Sequence, residues 1–253
     1  MPQVYPPPVR SGCLLPSESE TSSPLMPEAW HRREIVHNLD SWIFKKLQPF
    51  IAQRVLEAGC GAGNLAQLML DRDLVVGVDC SQEAVAAVRE RFKGAPNFLA
   101  FECDVCDPSI RALEELRIDT VVSLNVIEHI EDDEKALGNL FAVLRPRGTF
   151  AVVVPAIPHL YGSMDKALGH IRRYTRCGII SKAERAGFKT EVCFYMNFVG
   201  VLGWFLDGKV LRYDLPPTYQ LRLFNRMIPF LLKLETKLAP PVGLSIVYVG
   251  RRE

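Results

Sequence analysis

A glycine-rich stretch limits the folds open to this chain more than any other feature of its sequence. Residues 55–64 have the sequence VLEAGCGAGN, an apolar run followed by Gly59, Gly61 and Gly63. Glycine lets the backbone turn sharply between a buried strand and a helix and approach a ligand closely. Because glycines also form tight turns that hold no ligand, the stretch alone predicts a strand–turn–helix unit and leaves the ligand open.

Apolar runs alternate with helical patterns along most of the chain. Continuous apolar strands separated by helices are typical of a parallel sheet covered on both faces, so the sequence predicts an α/β fold. The predicted strands are residues 55–58, 74–78, 98–102, 120–124, 149–154, 189–195 and 244–250. Helices are expected to begin near Asn64, Ser81, Pro108 and Asp132, with Pro146 and Gly148 breaking the last of these, and a further helix covers 175–186.

The two ends of the chain differ from this middle part. Residues 1–27 hold seven of the 18 prolines and several serines, which predicts a flexible arm. A helix is expected over 28–50, and residues 28–253 are expected to form one domain. Residues 196–241 are an insertion between the last two strands. Their stretch 219–238 has helical periodicity, so we expect a helical lid.

The charge of the chain argues against nucleic acid as a partner. Lys and Arg number 30 and Asp and Glu 29, which leaves no overall basic field. The balance is −7 for residues 1–160 and +8 for residues 161–253, which suggests that the two parts face ligands of opposite charge. No apolar run reaches the roughly 18 residues of a membrane span, and no signal-peptide layout is present. The seven irregularly spaced cysteines are typical of reduced thiols, so we expect a cytoplasmic protein.

Carboxylates lie at the ends of four successive predicted strands. Glu57 lies on the first strand, Asp79 follows the second, and Asp104 and Glu128 follow the third and fourth. Open parallel sheets bind ligands beyond the carboxyl ends of their strands, so these side chains are expected to line one crevice. Because several carboxylates in a low-dielectric cleft repel phosphate, the crevice disfavours a phosphorylated nucleotide.

S-adenosylmethionine (SAM) fits these restrictions. It has no phosphate and carries an ammonium and a sulfonium, and Asp79 can accept hydrogen bonds from both ribose hydroxyls. Asn64 stands where a dinucleotide fingerprint has its last glycine, and no Lys-Ser/Thr pair follows Gly63 as a P-loop requires. The sequence therefore predicts SAM as the cofactor.

A series of motifs carries a family resemblance. It comprises Glu57-x-Gly59-x-Gly61-x-Gly63, Asp79, Cys103-Asp104-Val105, residues 125–129 (NVIEH) and residues 144–148 (LRPRG). Over about residues 30–195 the chain resembles class I SAM-dependent methyltransferases of the small-molecule, lipid and glycan type, including ubiquinone-pathway enzymes. The resemblance implies a Rossmann-like seven-stranded sheet whose last strand is antiparallel, with helices on both faces and the strand over 244–250 as the last one.

The resemblance also implies a role for each motif residue. Those expected to bind the methionine part are Gly59, Cys60, Gly61 and Gly63, with Glu57 supporting the ammonium. Those expected around the adenosine are Asp79 at the ribose, Asp104 at the adenine amino group, and Cys80 and Val105 against its ring. Asn125 is expected to contribute backbone near the sulfonium.

The acceptor side is expected to involve histidine. Methyl transfer is a direct displacement that depends mostly on alignment, and a general base is needed where the nucleophile carries a proton. His129 follows the fourth strand, and His170 lies in the loop after the fifth, in a stretch similar to one in several bacterial methyltransferases of this class. The candidate acceptor contacts in that loop are Tyr161, Arg172, Arg173 and Tyr174. A solvated surface loop, and a His129 that only orients its neighbours, are the alternatives.

We predict no metal. Ubiquinone-pathway O-methyltransferases have a Glu-x-x-Glu-His segment that can hold a divalent ion, but here Asn125 replaces the first carboxylate ahead of Glu128 and His129. Cys103 and Cys106 have no second ligand pair at metal-binding spacing and are interpreted as two thiols beside Asp104.

The lid carries a basic pattern with two interpretations. Arg222, Arg226, Lys233 and Lys237 are spaced so that they share one face of the predicted helix. The lid either completes the core with its apolar side and leaves this face in water, or forms a basic amphipathic surface. Such a surface meets an anionic membrane or an anionic lipid-like acceptor, which would make the protein membrane-peripheral.

Together these observations predict methyl transfer from SAM to oxygen, with nitrogen second, of a small molecule, glycan precursor or isoprenoid lipid. The alternatives are a SAM-dependent RNA or protein methyltransferase and a non-catalytic SAM-binding module. The chain has no recognisable RNA-binding domain, and its fourth strand is followed by NVIE rather than by an Asn-Pro-Pro-Tyr-type motif.

Overall fold

Seven strands form one sheet in the order β3-β2-β1-β4-β5-β7-β6. The strands are β1 (Arg54–Ala58), β2 (Leu74–Asp79), β3 (Phe98–Glu102), β4 (Ile118–Leu124), β5 (Leu144–Pro155), β6 (Phe188–Met196) and β7 (Ser245–Arg252). The first five are parallel, and β7 runs antiparallel to both β5 and β6. The predicted α/β sheet with an antiparallel last strand is confirmed.

The computed structural model describes residue 32 and residues 35–253. The predicted arm over 1–27 therefore lies outside the described residues. Residues 28–31, 33 and 34 of the helix expected over 28–50 also lie outside them. The described helices are α1 (His37–Leu47), α2 (Asn64–Gln67), α3 (Gln82–Arg91), α4 (Asp133–Val143), α5 (Ser163–Ala167), α6 (Arg176–Arg185), α7 (Phe198–Phe205) and α8 (Thr218–Leu238).

Three local predictions are corrected. The helix expected from Pro108 is a 3-10 helix over Pro108–Leu116, and α1 ends at Leu47, before the 3-10 turn Gln48–Phe50 that contains Pro49. The fourth helix ends at Val143, before Pro146 and Gly148. β5 already begins at Leu144, because Leu144 pairs with Ile118. The register shifts before the next pair, so the exposed residues 145–147 bulge from the strand.

The core has two parts, one on each face of the sheet. One contains α4 and α6, with buried Leu137, Leu140 and Ile179, and the other contains α1, α3 and α8, with buried Trp42 and Ile228. Between β6 and β7 the chain forms α7, a π-helical turn (Leu206–Val210) and α8. The carboxyl ends of β1, β2, β4 and β5 lie side by side, and the loops that follow these strands meet along that edge.

None of the helices in the described part of the chain has the combination of length and apolar character needed to cross a bilayer.

Candidate active site

The turn after β1 has a backbone conformation that requires glycine. Gly59 and Gly61 have φ of 78° and 47°, in the left-handed region that favours glycine. A Cβ at Gly59 would lie 2.2 Å from Cγ2 of Val126, which follows β4, so only glycine fits there. A Cβ at Gly61 would meet nothing within 4 Å, so this side of the turn is open to a ligand.

Asp79, at the end of β2, holds this turn in place. Its Oδ2 accepts a hydrogen bond from the backbone N–H of Gly61 at 2.9 Å, and its Oδ1 accepts one from the N–H of Ser81 at 2.9 Å. A carboxylate offers about four lone-pair sites, so capacity remains for ribose hydroxyls. The same side chain can therefore shape the turn and bind a ligand.

Glu57 is a buried carboxylate whose charge is not balanced by the protein. Its side chain accepts a hydrogen bond from the backbone of Ala66, and Oε2 has no hydrogen-bond partner among the described residues. Burial, then the negative charge of Asp40, and more weakly that of Asp79, hold the pKa of Glu57 well above its ordinary value. A cation with N–H donors would satisfy both the atom and the charge. The ammonium of SAM fits that requirement.

The other predicted SAM residues lie around the same edge of the sheet. Asp104 and Cys80 are exposed, and Val105, next to Asp104 in the sequence, is buried. Asn125 follows β4 with a φ of 53°. Cys60 differs from the rest, because its buried Sγ packs against Gly77 of β2 and leaves only its backbone at the turn. Their contact with SAM stays a prediction.

His129 and His170 lie together at the acceptor side of this edge. Their rings are 4.9 Å apart between centroids in an edge-to-face arrangement. The Nδ1 of His129 lies 3.1 Å from the carbonyl oxygen of Gly169, and the Nδ1 of His170 lies 2.9 Å from Oδ1 of Asp165. A carbonyl and an ionised carboxylate only accept hydrogen bonds, so both Nδ1 atoms are donors and each neutral ring keeps a lone pair on Nε2.

Asp165, in α5, is the centre of this arrangement, and the sequence analysis did not assign it a role. It is fully buried and accepts hydrogen bonds from His170, from Nε of Arg173 at 2.7 Å and from Nε1 of Trp204 at 3.2 Å. Burial opposes its charge, but the hydrogen bond from His170 and the charge and hydrogen bond of Arg173 hold the pKa of Asp165 below its ordinary value. The available signal was its place in the loop stretch that resembles other methyltransferases, because its spacing of five residues from His170 fits no regular period.

The four candidate acceptor residues make contacts within the protein. Arg173 is buried against Asp165, and the buried Tyr174 donates a hydrogen bond to Oδ2 of Asp133 at 2.7 Å. Arg172 also pairs with Asp133, at 2.9 Å, and the hydroxyl of Tyr161 donates to the carbonyl of His170 at 2.8 Å. These contacts hold the loop in shape, and the contact of the four residues with an acceptor stays a prediction.

Glu128, His129 and His170 offer metal-ligand atoms that all lie within 4.8 Å of one another. Two imidazoles and a carboxylate suit several divalent metals. The buried Arg173 interacts with both Asp165 and Glu128 and so balances part of their negative charge. We keep the absence of a metal as a prediction.

Comparisons with known proteins agree with this geometry. A family model described as a methyltransferase domain matches residues 56–150. A probable S-adenosylmethionine-dependent methyltransferase of Mycolicibacterium smegmatis is 32% identical over 185 residues, which are 70% of this chain and 66% of that protein. The chain belongs to the class I SAM-dependent methyltransferases.

Two further similarities bear on fold and acceptor in this methyltransferase family. The crystal structure of a SAM-dependent methyltransferase from Archaeoglobus fulgidus superposes with a TM-score of 0.59 at 15% identity, over 89% of this chain and 99% of that one, which supports the fold. The trans-aconitate 2-methyltransferase of Variovorax paradoxus is 31% identical over 107 residues, 41% of this chain and 39% of that protein.

Proposed function

We propose that this methyltransferase transfers the methyl group of SAM to an oxygen of a small molecule, a glycan precursor or an isoprenoid lipid. The observation that carries the choice of oxygen is the hydrogen bond between His170 Nδ1 and Asp165 Oδ1, at 2.9 Å. A hydroxyl nucleophile carries a proton that has to leave, and a histidine oriented by a carboxylate is suited to take it. An amine acceptor is second, since a neutral amine attacks without prior loss of a proton.

The donor is held by groups at the glycine turn. Glu57 binds the ammonium, Asp79 binds the ribose hydroxyls, and Gly61 lets the backbone approach the methionine part. SAM, when bound, supplies an electrophilic methyl group on a sulfonium. Because the displacement depends mostly on alignment, fixing donor and acceptor can supply roughly 7–11 kcal/mol of the barrier reduction.

His170 is better suited than His129 to act as the base. Burial and the neighbouring His170 lower the pKa of His129 to about 4, so His129 stays neutral at pH 7 but binds a proton weakly. A group that binds a proton this weakly is a poor general base. The base is assigned to His170 on geometry: Asp165 positions its ring through Nδ1, Nε2 takes the hydroxyl proton, and His129 packs against the ring.

A small-molecule acceptor is favoured because one relative of this chain is named for a small-molecule acceptor. Trans-aconitate gives its name to the methyltransferase that matches 41% of this chain. The neutral overall charge, +1 over the whole chain, gives no general attraction for nucleic acid. These observations favour a small acceptor over protein or RNA. The test below distinguishes it from those acceptors and from SAM binding without turnover.

The test is a search for the methylated product. Purified protein is incubated with methyl-labelled SAM and a metabolite and lipid extract of its host, and labelled products are identified by mass spectrometry. A labelled methyl ether that is missing with the His170→Ala variant supports the proposal. Label in RNA or protein alone, or tight SAM binding without any labelled product, contradicts it.

A further inference from the structure

Large apolar side chains are exposed mainly in one part of this molecule, residues 202–238, which we name the lid face. Of the 13 large hydrophobic residues that are exposed in the described chain, 11 lie in this segment. The most exposed are Tyr219, Phe230, Leu202 and Leu223, at 69%, 66%, 63% and 60%. Single exposed apolar residues are ordinary, whereas a contiguous group of them marks an interaction surface.

On α8 the exposed apolar residues form a row. Tyr219, Leu223, Met227 and Phe230 are exposed and follow one another at intervals of four, four and three residues. At about 100° per residue, such positions share one side of a helix. Ile228 belongs to the buried side of α8 and packs in the core, so the exposed row is separate from the side that completes the fold.

The exposure does not arise from a loosely held helix. Glu235 on α8 is buried and accepts hydrogen bonds from the backbone N–H groups of Asn197 at 2.9 Å and Phe198 at 2.6 Å, which ties α8 to the start of α7. Asn225 accepts from both the backbone and the side chain of Asn38 on α1, at 3.0 Å and 3.1 Å. The protein therefore fixes α8 on one side and presents the other side to its surroundings.

The exposed charges of the lid face are almost all positive. Six basic residues are exposed there: Lys209, Arg212, Arg222, Arg226, Lys233 and Lys237. Among its acidic residues, Asp207 and Glu235 are buried and Asp214 is exposed. On α8 the basic residues lie next to the apolar row and opposite the buried side. An exposed apolar row beside a basic row matches the interface between the headgroups and acyl chains of an anionic bilayer.

We propose that the lid face binds the surface of an anionic membrane, with the apolar row in the outer part of the acyl region and the basic row at the lipid headgroups. Two other occupants fit less well. A second copy in a two-fold dimer would place the same basic rows against or near each other, which opposes association. A polyanion such as RNA would pair with the cations but leave the row of Leu, Met and Phe in water.

The lid face is joined to the acceptor side of the site. Trp204, on α7, donates to Asp165 and stacks under the guanidinium of Arg173 at 4.7 Å, and Ser163 of α5 donates to the carbonyl of Tyr213 at 2.6 Å. A membrane-bound lid face would therefore place the loop of His170 close to the lipid surface. This last step rests on the proposed function and implies an acceptor delivered from the membrane, whereas membrane binding itself does not depend on it.

The test measures binding of the full-length protein to vesicles by co-sedimentation. Vesicles of phosphatidylcholine alone are compared with vesicles that contain about 30 mol% phosphatidylglycerol, at low and high salt. The wild type is expected to bind the anionic vesicles at least about 10-fold more tightly, and salt is expected to weaken that binding. Absence of binding to the anionic vesicles overturns the proposal.

Two double variants separate the basic row from the apolar row. Arg226→Glu with Lys233→Glu is expected to weaken binding to anionic vesicles about 20-fold or more, since each basic residue contributes roughly fivefold. Leu223→Gln with Phe230→Gln is expected to weaken binding about 10-fold without a change in its salt dependence. All four side chains are exposed, so thermal melts and SAM affinity should match the wild type.

The matched control reverses two exposed lysines elsewhere. Lys93→Glu with Lys189→Glu changes the net charge by the same amount, and their side chains are 76% and 69% exposed. Equal loss of vesicle binding in this control overturns the proposal, because net charge alone would then explain the binding. A dimer in light scattering that only Leu223→Gln with Phe230→Gln dissociates overturns it in favour of a second copy. Vesicle binding without any methylated product leaves it standing and refutes the proposed function alone.

Discussion

The imidazole of His170 donates from Nδ1 to Oδ1 of Asp165 across 2.9 Å, and the backbone N–H of His170 donates to the carbonyl of the same residue at 2.8 Å. Two bonds to one residue fix both the position of the loop and the orientation of the ring. The carboxylate is itself held by Arg173 and Trp204. The other ring nitrogen, Nε2, lies 3.9 Å from Oε1 of the buried Glu128 and is the atom that we propose takes the substrate proton.

Replacing His170 with alanine is expected to lower turnover by roughly 10²–10⁴-fold, the usual contribution of a general base. The affinity for SAM should stay within about twofold, because His170 lies on the acceptor side and calorimetry reports only donor binding. The exposed His159 serves as the control, and His159→Ala should retain full turnover. Full activity of His170→Ala across the pH range would remove His170 as the base.

Replacing Asp79 with alanine is expected to weaken SAM binding by about 10-fold or more. A hydrogen bond to a charged group contributes roughly 1.5–3 kcal/mol, and the variant also removes the acceptor that holds the N–H of Gly61. Calorimetry with SAM measures the change. Asp71→Ala, which removes a carboxylate with 69% side-chain exposure on the turn before β2, should bind SAM as the wild type does. Unchanged affinity in a folded Asp79→Ala protein would exclude Asp79 from the site.

Replacing Glu57 with glutamine is expected to strengthen the SAM-free fold and weaken SAM binding. The pKa of Glu57 is raised above its ordinary value of 4.5, so the folded state keeps a proton that the unfolded state loses, and stability falls as the pH rises through the raised pKa. The variant lacks this loss, so its melting temperature should exceed that of the wild type by more at pH 8 than at pH 5. Its SAM affinity should fall about 10-fold because the charge-assisted bond to the ammonium is lost.

Measuring both the melting temperature and the SAM affinity of Glu57→Gln tests the burial of its charge and its contact with SAM separately. If Glu57→Gln melts at the same temperature as the wild type at both pH values, Glu57 is not the destabilising charge that its burial indicates. If the variant is stabilised but binds SAM normally, the ammonium is held elsewhere in the site.

The sheet and the donor side could be predicted because their signals are local. The prediction of the third strand over 98–102 matches the bounds of β3, because its apolar residues 98–101 lie between Asn97 and Glu102. The glycine turn and Asp79 belong to one βαβ unit, in which only 18 residues separate Gly61 from Asp79. The early start of β5 was missed because it depends on pairing with Ile118 across the sheet, 26 residues earlier.

The acceptor side could not be predicted to the same degree because it is assembled over long distances. Trp204 reaches Asp165 from 39 residues further along the chain, and Tyr174 meets Asp133 from 41 residues away. No periodicity shows that Arg173 faces inward and Arg172 outward within one loop. The sequence also could not show that Arg173 is buried against Asp165, the carboxylate that orients His170, and contact of Arg173 with the acceptor stays a prediction.

Removal of divalent metals is expected to leave the enzyme active. The grouping of Glu128, His129 and His170 offers ligands, but Arg173 already balances part of the negative charge there, and His170 is proposed to act as a base through Nε2. Protein dialysed against EDTA and then assayed in metal-free buffer should keep its turnover. Loss of activity that one particular divalent ion restores would assign these three residues to a metal site and remove the general-base role of His170.

His129 is expected to make the protein less stable at acidic pH. The pKa of His129 is about 4 in the folded protein, against 6.5 for an ordinary histidine, because burial and then His170 disfavour its charged form. The unfolded chain therefore binds more protons between these values, and stability is lost as the pH falls from about 6.5 towards 4. Between pH 7 and pH 5 this contribution amounts to about 2 kcal/mol in the free energy of unfolding. Urea denaturation at the two pH values measures this change in the free energy of unfolding. The His129→Gln variant keeps a donor for the carbonyl of Gly169, and its stability should fall by about 2 kcal/mol less than that of the wild type. An equal loss in both proteins would mean that His129 is not held neutral by its surroundings, and its assignment as a buried partner of His170 would fail.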